Sequence, residues 1–148
     1  MAQQDDACTL LDEDHNKVMR LFEQYKASHD GSHQKLLARQ ICHELDVHMQ
    51  IEDEILYPAF TQGTGDTALV RESDREHRLT RELMAKVEAG RAEDAKLMLE
   101  MQDVVLDHVN DEREKMFPEA RKAQGMDLMQ LARRLEARKS ELMAGHPA

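Results

Sequence analysis

One pattern occurs twice in this chain. His48 and Glu52 stand four residues apart and are followed by Tyr57-Pro58, while His108 and Glu112 stand four apart and are followed by Phe117-Pro118, an offset of 60 residues at every matched position. Two more histidines join the repeat: His15 lies 33 residues before His48, and His77 lies 31 before His108. Each of these groups falls in register with an apolar stripe. Leu11, His15, Val18, Phe22 and Tyr25 recur at spacings of three and four, and so do Leu37, Ile41, Leu45, His48, Glu52 and Ile55. The same period runs through Val70, Ser73, His77, Thr80, Met84 and Val87, and through Leu97, Met101, Val104, His108, Glu112 and Met116. Such spacing is that of a helix face turned to a core. An isolated buried charge costs more than a small bundle can spare, so these groups need partners at depth.

Four long amphipathic helices follow from that period. Charged residues make up 34% of the chain and aromatic residues 3%, a balance that favours helices over strands. The first helix is predicted from about Thr9 to Tyr25, with Thr9 and Asp12 resembling a capping box. Asp30-Gly31-Ser32 breaks it, with Ser32 as cap of the second helix, and residues 61–66 read as a loop. Gly90 marks the end of the third helix. Pro58 and Pro118 are expected to kink or end the second and fourth. A fifth helix after Gly125 carries Leu128, Leu131, Leu135 and Leu142 and is expected to cross the outside of the bundle. Short loops imply antiparallel neighbours. The expected fold is all-α: a single domain over residues 1–148, with an up-down-up-down four-helix bundle over about 9–121 and an additional C-terminal helix over about 126–144.

Charge and cysteine usage narrow the partners. The net charge is −10, of which residues 1–120 carry −13 and the last 28 residues +3. An acidic body repels phosphate backbones, so nucleic acid is not an expected partner. Cys8 and Cys42 are far apart and form no disulfide framework. The first ten residues are polar and acidic, unlike a signal peptide, and no apolar run approaches the ~18 residues that span a bilayer. The reading is a cytoplasmic protein with no membrane partner.

Counting from the loops places the four histidines. Each lies about 13 to 17 residues from its neighbouring loop centres, which at ~1.5 Å per residue puts all four in one layer within about one turn. His48 with Glu52, and His108 with Glu112, share a helix face. Four imidazoles and two carboxylates therefore converge. That donor set suits iron, with manganese or zinc as secondary candidates, and a bundle core is a common holder of two such ions. A lone core histidine is ordinarily a hydrogen-bonded structural residue. Four at one depth, within an internal repeat, are not explained that way. Asp12 and Asp74, each three before a site histidine, are candidate partners of an imidazole N–H, although solvated capping carboxylates are the preferred reading. His29 and His33 straddle a loop, His43 points about 140° away from His48, His146 lies in the tail, and Cys42 reads as a small buried residue. The methionines, with Val18, Phe22, Ile51, Ile55 and Val105, read as apolar walls around the layer. Such walls suit a small uncharged ligand.

These residues resemble the hemerythrin-like, or HHE cation-binding, family. The resemblance is carried by Asp14-His15, His48-x-x-x-Glu52 with Tyr57-Pro58, Glu76-His77, and His108-x-x-x-Glu112 with Phe117-Pro118, and covers about residues 9–120. It implies an oxo- or hydroxo-bridged non-haem di-iron centre, with His15 and His48 on one iron, His77 and His108 on the other, and Glu52 and Glu112 bridging. Oxygen-carrying hemerythrins have a fifth histidine one turn from the third-helix ligand and an aspartate in the last motif. Here Ser73 and Arg81 occupy the positions one turn away, and the last carboxylate is Glu112. The set is more similar to di-iron proteins linked to repair of iron–sulfur clusters, although their cysteine-bearing N-terminal segment is not seen.

Two functions are therefore in view. One is a di-iron protein that binds O2, NO or iron itself in sensing, scavenging or stress response. The alternative is a di-iron enzyme of the NO reductase, peroxidase or cluster-repair type. No acid–base residue stands out near the layer, which favours binding.

Overall fold

The computed structural model describes residues 5–145, and every regular element among them is helical. α1 (Ala7–Ala27) leads into α2 (Gly31–Ile51), which continues through a widened π turn (Glu52–Leu56) into α3 (Tyr57–Thr64). α4 (Ala68–Lys86) closes in a second π turn (Val87–Arg91). α5 (Ala95–Asp111) continues through a third π turn (Glu112–Met116) into α6 (Phe117–Lys122), and α7 (Leu128–Ala144) follows. Four antiparallel rods result: α1, α2–α3, α4 and α5–α6. They form the up-down-up-down bundle, and α7 packs across α1, α2 and the first π turn.

Aspartates set most of the helix starts. Asp6, not the pair Thr9 and Asp12, caps α1 by accepting the Thr9 N–H at 2.8 Å. Asp30 caps α2 by accepting the Ser32 N–H at 2.9 Å, so Ser32 is capped rather than capping. Asp94 and Asp127 do the same for α5 and α7. The expected loop over residues 61–66 is shorter: helix runs to Thr64, and Gly65 stops it at φ +74°. Gly90, at φ +115°, stops the fourth rod's predecessor where the sequence places its end. Both glycines adopt left-handed backbone that a Cβ would strain.

Neither proline ends its helix. Proline has no N–H, and its ring crowds the carbonyl one turn back. Here the backbone widens ahead of it: the Tyr57 N–H bonds the Glu52 carbonyl, and the Phe117 N–H bonds the Glu112 carbonyl, five residues back in both cases. The two π turns begin at the two repeated glutamates.

The apolar core is divided in two. Val18, Phe22, Ile41, Met98 and Met101 belong to one cluster, toward the α1–α2 loop. Leu11, Ile51, Leu56, Phe60, Met116 and Leu135 belong to the other, which α7 covers with Leu131, Ala132 and Leu135. A buried polar layer lies between them: His15, His48, Glu52, His77, His108 and Glu112, with Asp14 and Glu76. Cys8 and Cys42 are unpaired and buried, one in each cluster, and burial pushes both thiols up to about 12. Thiols so protonated are poor nucleophiles. Among the described residues no helix is long and apolar enough to cross a membrane.

Leu135 is completely buried. Leu135→Ala should lower the unfolding free energy by about 2–5 kcal/mol in urea denaturation, the range for a large-to-small core change. A much smaller loss would show that α7 is peripheral to the core.

Candidate metal centre

The structure brings all six predicted residues together. Glu52 and Glu112 are completely buried, and the four histidines are nearly so. His15 Nε2 lies 2.9 Å from Glu112 Oε1, and His48 Nε2 lies 3.3 Å from Glu52 Oε2. His77 Nε2 is 3.1 Å from Glu52 Oε1; His108 Nε2 is 3.2 Å from that oxygen and 3.0 Å from Glu112 Oε1. The rings fall into two pairs. The His15 and His48 centroids are 4.9 Å apart and those of His77 and His108 are 4.7 Å apart, against 6.3 Å between His15 and His108.

Every imidazole is held from behind by a carboxylate. Nδ1 of His15, His48, His77 and His108 lies 3.0, 3.2, 2.9 and 3.0 Å from Asp12, Asp14, Asp53 and Glu76 respectively. A carboxylate at Nδ1 fixes the N–H there and directs the Nε2 lone pair inward. The acid preceding the histidine on α1 and on α4 serves the next helix: Asp14 holds His48, and Glu76 holds His108. That signal was present in the repeated Asp14-His15 and Glu76-His77, but the helix it serves depends on packing. Asp12 does bond His15, against its reading as a solvated cap. Asp74 does not bond His77; it is exposed at the rim of a surface cavity of about 450 Å³, and Asp53 takes the role instead.

Tyr57 completes the cluster; the repeat marks its position without placing it in the site. Its hydroxyl lies 3.1 Å from Glu52 Oε1, 3.3 Å from Glu112 Oε2 and 3.1 Å from His77 Nε2. On an ideal α-helix a residue five beyond Glu52 is turned about 140° away. The π turn adds a residue to the circuit and returns Tyr57 to the glutamate's face. Its counterpart in the repeat, Phe117, has no hydroxyl and stacks on His15, with centroids 6.0 Å apart and rings 13° from parallel.

The electrostatics follow from burial against close opposite charge. Burial favours neutral imidazoles, but Glu52 with Asp14 holds His48 well above the usual range, and Glu112 with Glu52 does the same for His108. Asp53 and Glu52 raise His77 against its own burial. Burial pushes Glu52 up, yet His48 and His108 hold it well below the carboxylate range. Burial and Glu52 push Glu112 up, and the imidazoles around it, His108 foremost, bring it down to about 2. Burial, then Glu112 and Glu52, keep the Tyr57 phenol protonated far above its ordinary value.

The donor set fits a cation. His48 Nε2 and Glu52 Oε2 are buried without a hydrogen-bond partner, although they lie 3.3 Å apart. Once His48 gives up its Nε2 proton, these two buried atoms present converging lone pairs that one positive ion satisfies, and imidazole with carboxylate is the donor chemistry of iron, manganese and zinc. The other histidines among the described residues lie outside the layer. His33 Nδ1 lies 3.1 Å from Ser28 Oγ, His29 is exposed, His43 lines a cavity between α2 and α4, and His146 lies outside the described residues.

Comparison with known proteins agrees with this geometry. The Hemerythrin HHE cation binding domain matches residues 6–120. The chain belongs to that family, and it is a metal-binding helical bundle. It is 30% identical over 106 residues to a DNA nickase of Nostoc sp. (strain PCC 7120), a match covering 70% of this chain and 30% of that protein. A crystal structure of a Hemerythrin HHE cation binding domain-containing protein from Mycobacterium kansasii superposes with a TM-score of 0.77 at 21% identity, covering 96% of this chain and 90% of that one. That likeness extends over α7, which lies beyond the family match.

In the metal-free chain the raised histidines contribute stability that is complete below about pH 6.5 and is lost as pH rises through their folded values. The lowered glutamates contribute stability that is present above about pH 4.5 and is lost as pH falls through theirs. Apo protein should therefore be most stable between those limits and lose melting temperature above neutrality. Cation uptake near pH 7 should release protons, because protonated imidazoles must give up Nε2 hydrogens to bind; pH-stat titration measures this.

Proposed function

We propose that this chain is a non-haem di-iron protein that binds O2, NO or iron itself in sensing, scavenging or a stress response. His15, His48, Glu52, His77, His108 and Glu112 are the ligands. The observation that carries the reading is the set of four imidazoles, each anchored at Nδ1 by a carboxylate and each aimed at Glu52 or Glu112 through Nε2. Their grouping into two ring pairs supports two ions, with His15 and His48 on one and His77 and His108 on the other. Glu52 and Glu112, whose oxygens lie between the pairs, would help to hold both. Iron bound there would supply redox chemistry and affinity for a diatomic ligand. The protein's part is to exclude water with two apolar clusters and to fix the imidazoles.

One observation favours the alternative of a di-iron enzyme. Tyr57 places a proton-bearing hydroxyl against both glutamates and His77, so an acid group does stand at the centre. Turnover of NO or peroxide, compared between wild type and Tyr57→Phe, tests this. A rate lowered in Tyr57→Phe supports the enzyme, and turnover no faster than that of His77→Ala leaves the binding reading standing. The nickase activity named for the Nostoc relative is not carried over: this chain spans less than a third of that protein and has a net charge of −10.

Anaerobic iron loading should give about two ions per chain by elemental analysis, falling to one or none in His77→Ala and Glu52→Ala. Chelation should lower the melting temperature, since ligand binding stabilises the native state by mass action. Wild type that binds no iron, or a melting temperature unchanged after verified metal removal, would count against the centre.

A further inference from the structure

The two halves of the centre repeat each other closely but are charged differently from behind. Asp12, behind His15, is ion-paired to Arg113. Asp53, behind His77, is paired to Arg81 at 2.8 Å. These two pairs are comparable, each between the α-helical layer and solvent. The other two carboxylates differ. Asp14, behind His48, is nearly buried and receives Lys139 Nζ from α7 at 2.5 Å. Glu76, behind His108, is also buried, but it meets Asp111 and Glu72 instead, the three presenting oxygens within 4.8 Å of one another. Among the described residues no lysine or arginine pairs with Glu76. The cations beyond it, Arg75 on Glu72 and Lys115 on Asp111, have side chains 55% and 59% exposed. Charges so exposed are strongly screened, whereas the Lys139 side chain is 28% exposed and its partner 9%.

We propose that α7 is an electrostatic part of the metal centre, with Lys139 as a positioning residue that acts through Asp14 to make the His15–His48 position the weaker of the two. The inference rests on the two-ion reading. A carboxylate on an imidazole N–H strengthens that imidazole as a donor and adds negative charge near the ion. Lys139 offsets this charge behind His48, and nothing comparable offsets Glu76 behind His108. The His77–His108 position therefore holds a cation more tightly. The helix that carries Lys139 lies outside residues 6–120, the part matched by the family domain. A segment added to the domain thus reaches the back of one of its ligands.

The test is a pair of stepwise binding constants. Apo full-length chain is titrated anaerobically with Fe(II), and separately with Zn(II) as a redox-silent ion, in competition with a chromophoric chelator. Wild type should show one tight and one weaker step. Lys139→Met should tighten the weaker step by on the order of three- to tenfold and leave the tight step in place. Tightening is informative because damage to the fold would weaken binding. Lys139→Arg should behave as wild type. In an Asp14→Asn background, Lys139→Met should produce no tightening, since the charge that Lys139 offsets is gone. Arg138→Met, on the same helix as Lys139, breaks an exposed pair with Glu54 of the first π turn and should change neither constant. Should Lys139→Met not fold, Lys139→Gln carries the same expectation. Two bound ions with both constants unchanged in the Lys139 variant would overturn the proposal and leave the two-ion reading intact. An equal shift in Arg138→Met would overturn it in favour of general surface charge. Wild type that binds fewer than two ions would remove both.

Discussion

Two carboxylates at zero exposure in the middle of a small helical bundle are the constraint on which this structure depends. Neither can stay ionised there without close positive charge. His48, His77 and His108, held toward their protonated forms by the carboxylates around them, provide it in the metal-free chain, and a bound cation would provide it in a loaded one. The rest of the architecture follows from holding those groups in one layer. The apolar core is split around them, the π turns start at the two glutamates, and each imidazole is anchored from behind. Folding and cation binding would be coupled through the same atoms, because the groups that would destabilise an empty core are the ones proposed to coordinate.

The repeat produces near-symmetry, and the departures from it carry chemical meaning. Tyr57 and Phe117 occupy equivalent places, but one offers a hydroxyl to both glutamates and the other only a ring face to His15. Asp14 and Glu76 are likewise equivalent, but one meets a lysine and the other meets carboxylates. A centre drawn from the motif alone is symmetric. In the folded chain the two ends differ in proton supply and in field. That inequality bears on whether the site merely holds a ligand or acts on it.

Much of this was legible in the amino-acid order. Helical period, loop punctuation and the 60-residue offset were sufficient for the fold class, for the depth of the four histidines and for all six cluster residues. These are local properties: three- and four-residue spacing fixes which side chains share a face, and loop positions fix how far along each rod they sit. Boundaries were less legible, because aspartate caps compete with nearby serines and threonines for the same orphan N–H groups. Asp6 and Asp30 won at positions where Thr9 and Ser32 were equally plausible.

Only the tertiary structure decided which carboxylate stands behind which imidazole. Asp14 and Glu76 reach across to neighbouring helices, Asp53 displaces Asp74, and Lys139 arrives from 125 residues away. Such pairings depend on the rotation and approach of separate rods, which the period of any one rod does not encode. Tyr57 belongs to the same class. Its place in the site exists because the backbone widens ahead of Pro58, changing the helical period at the one point where a regular period would have turned it away.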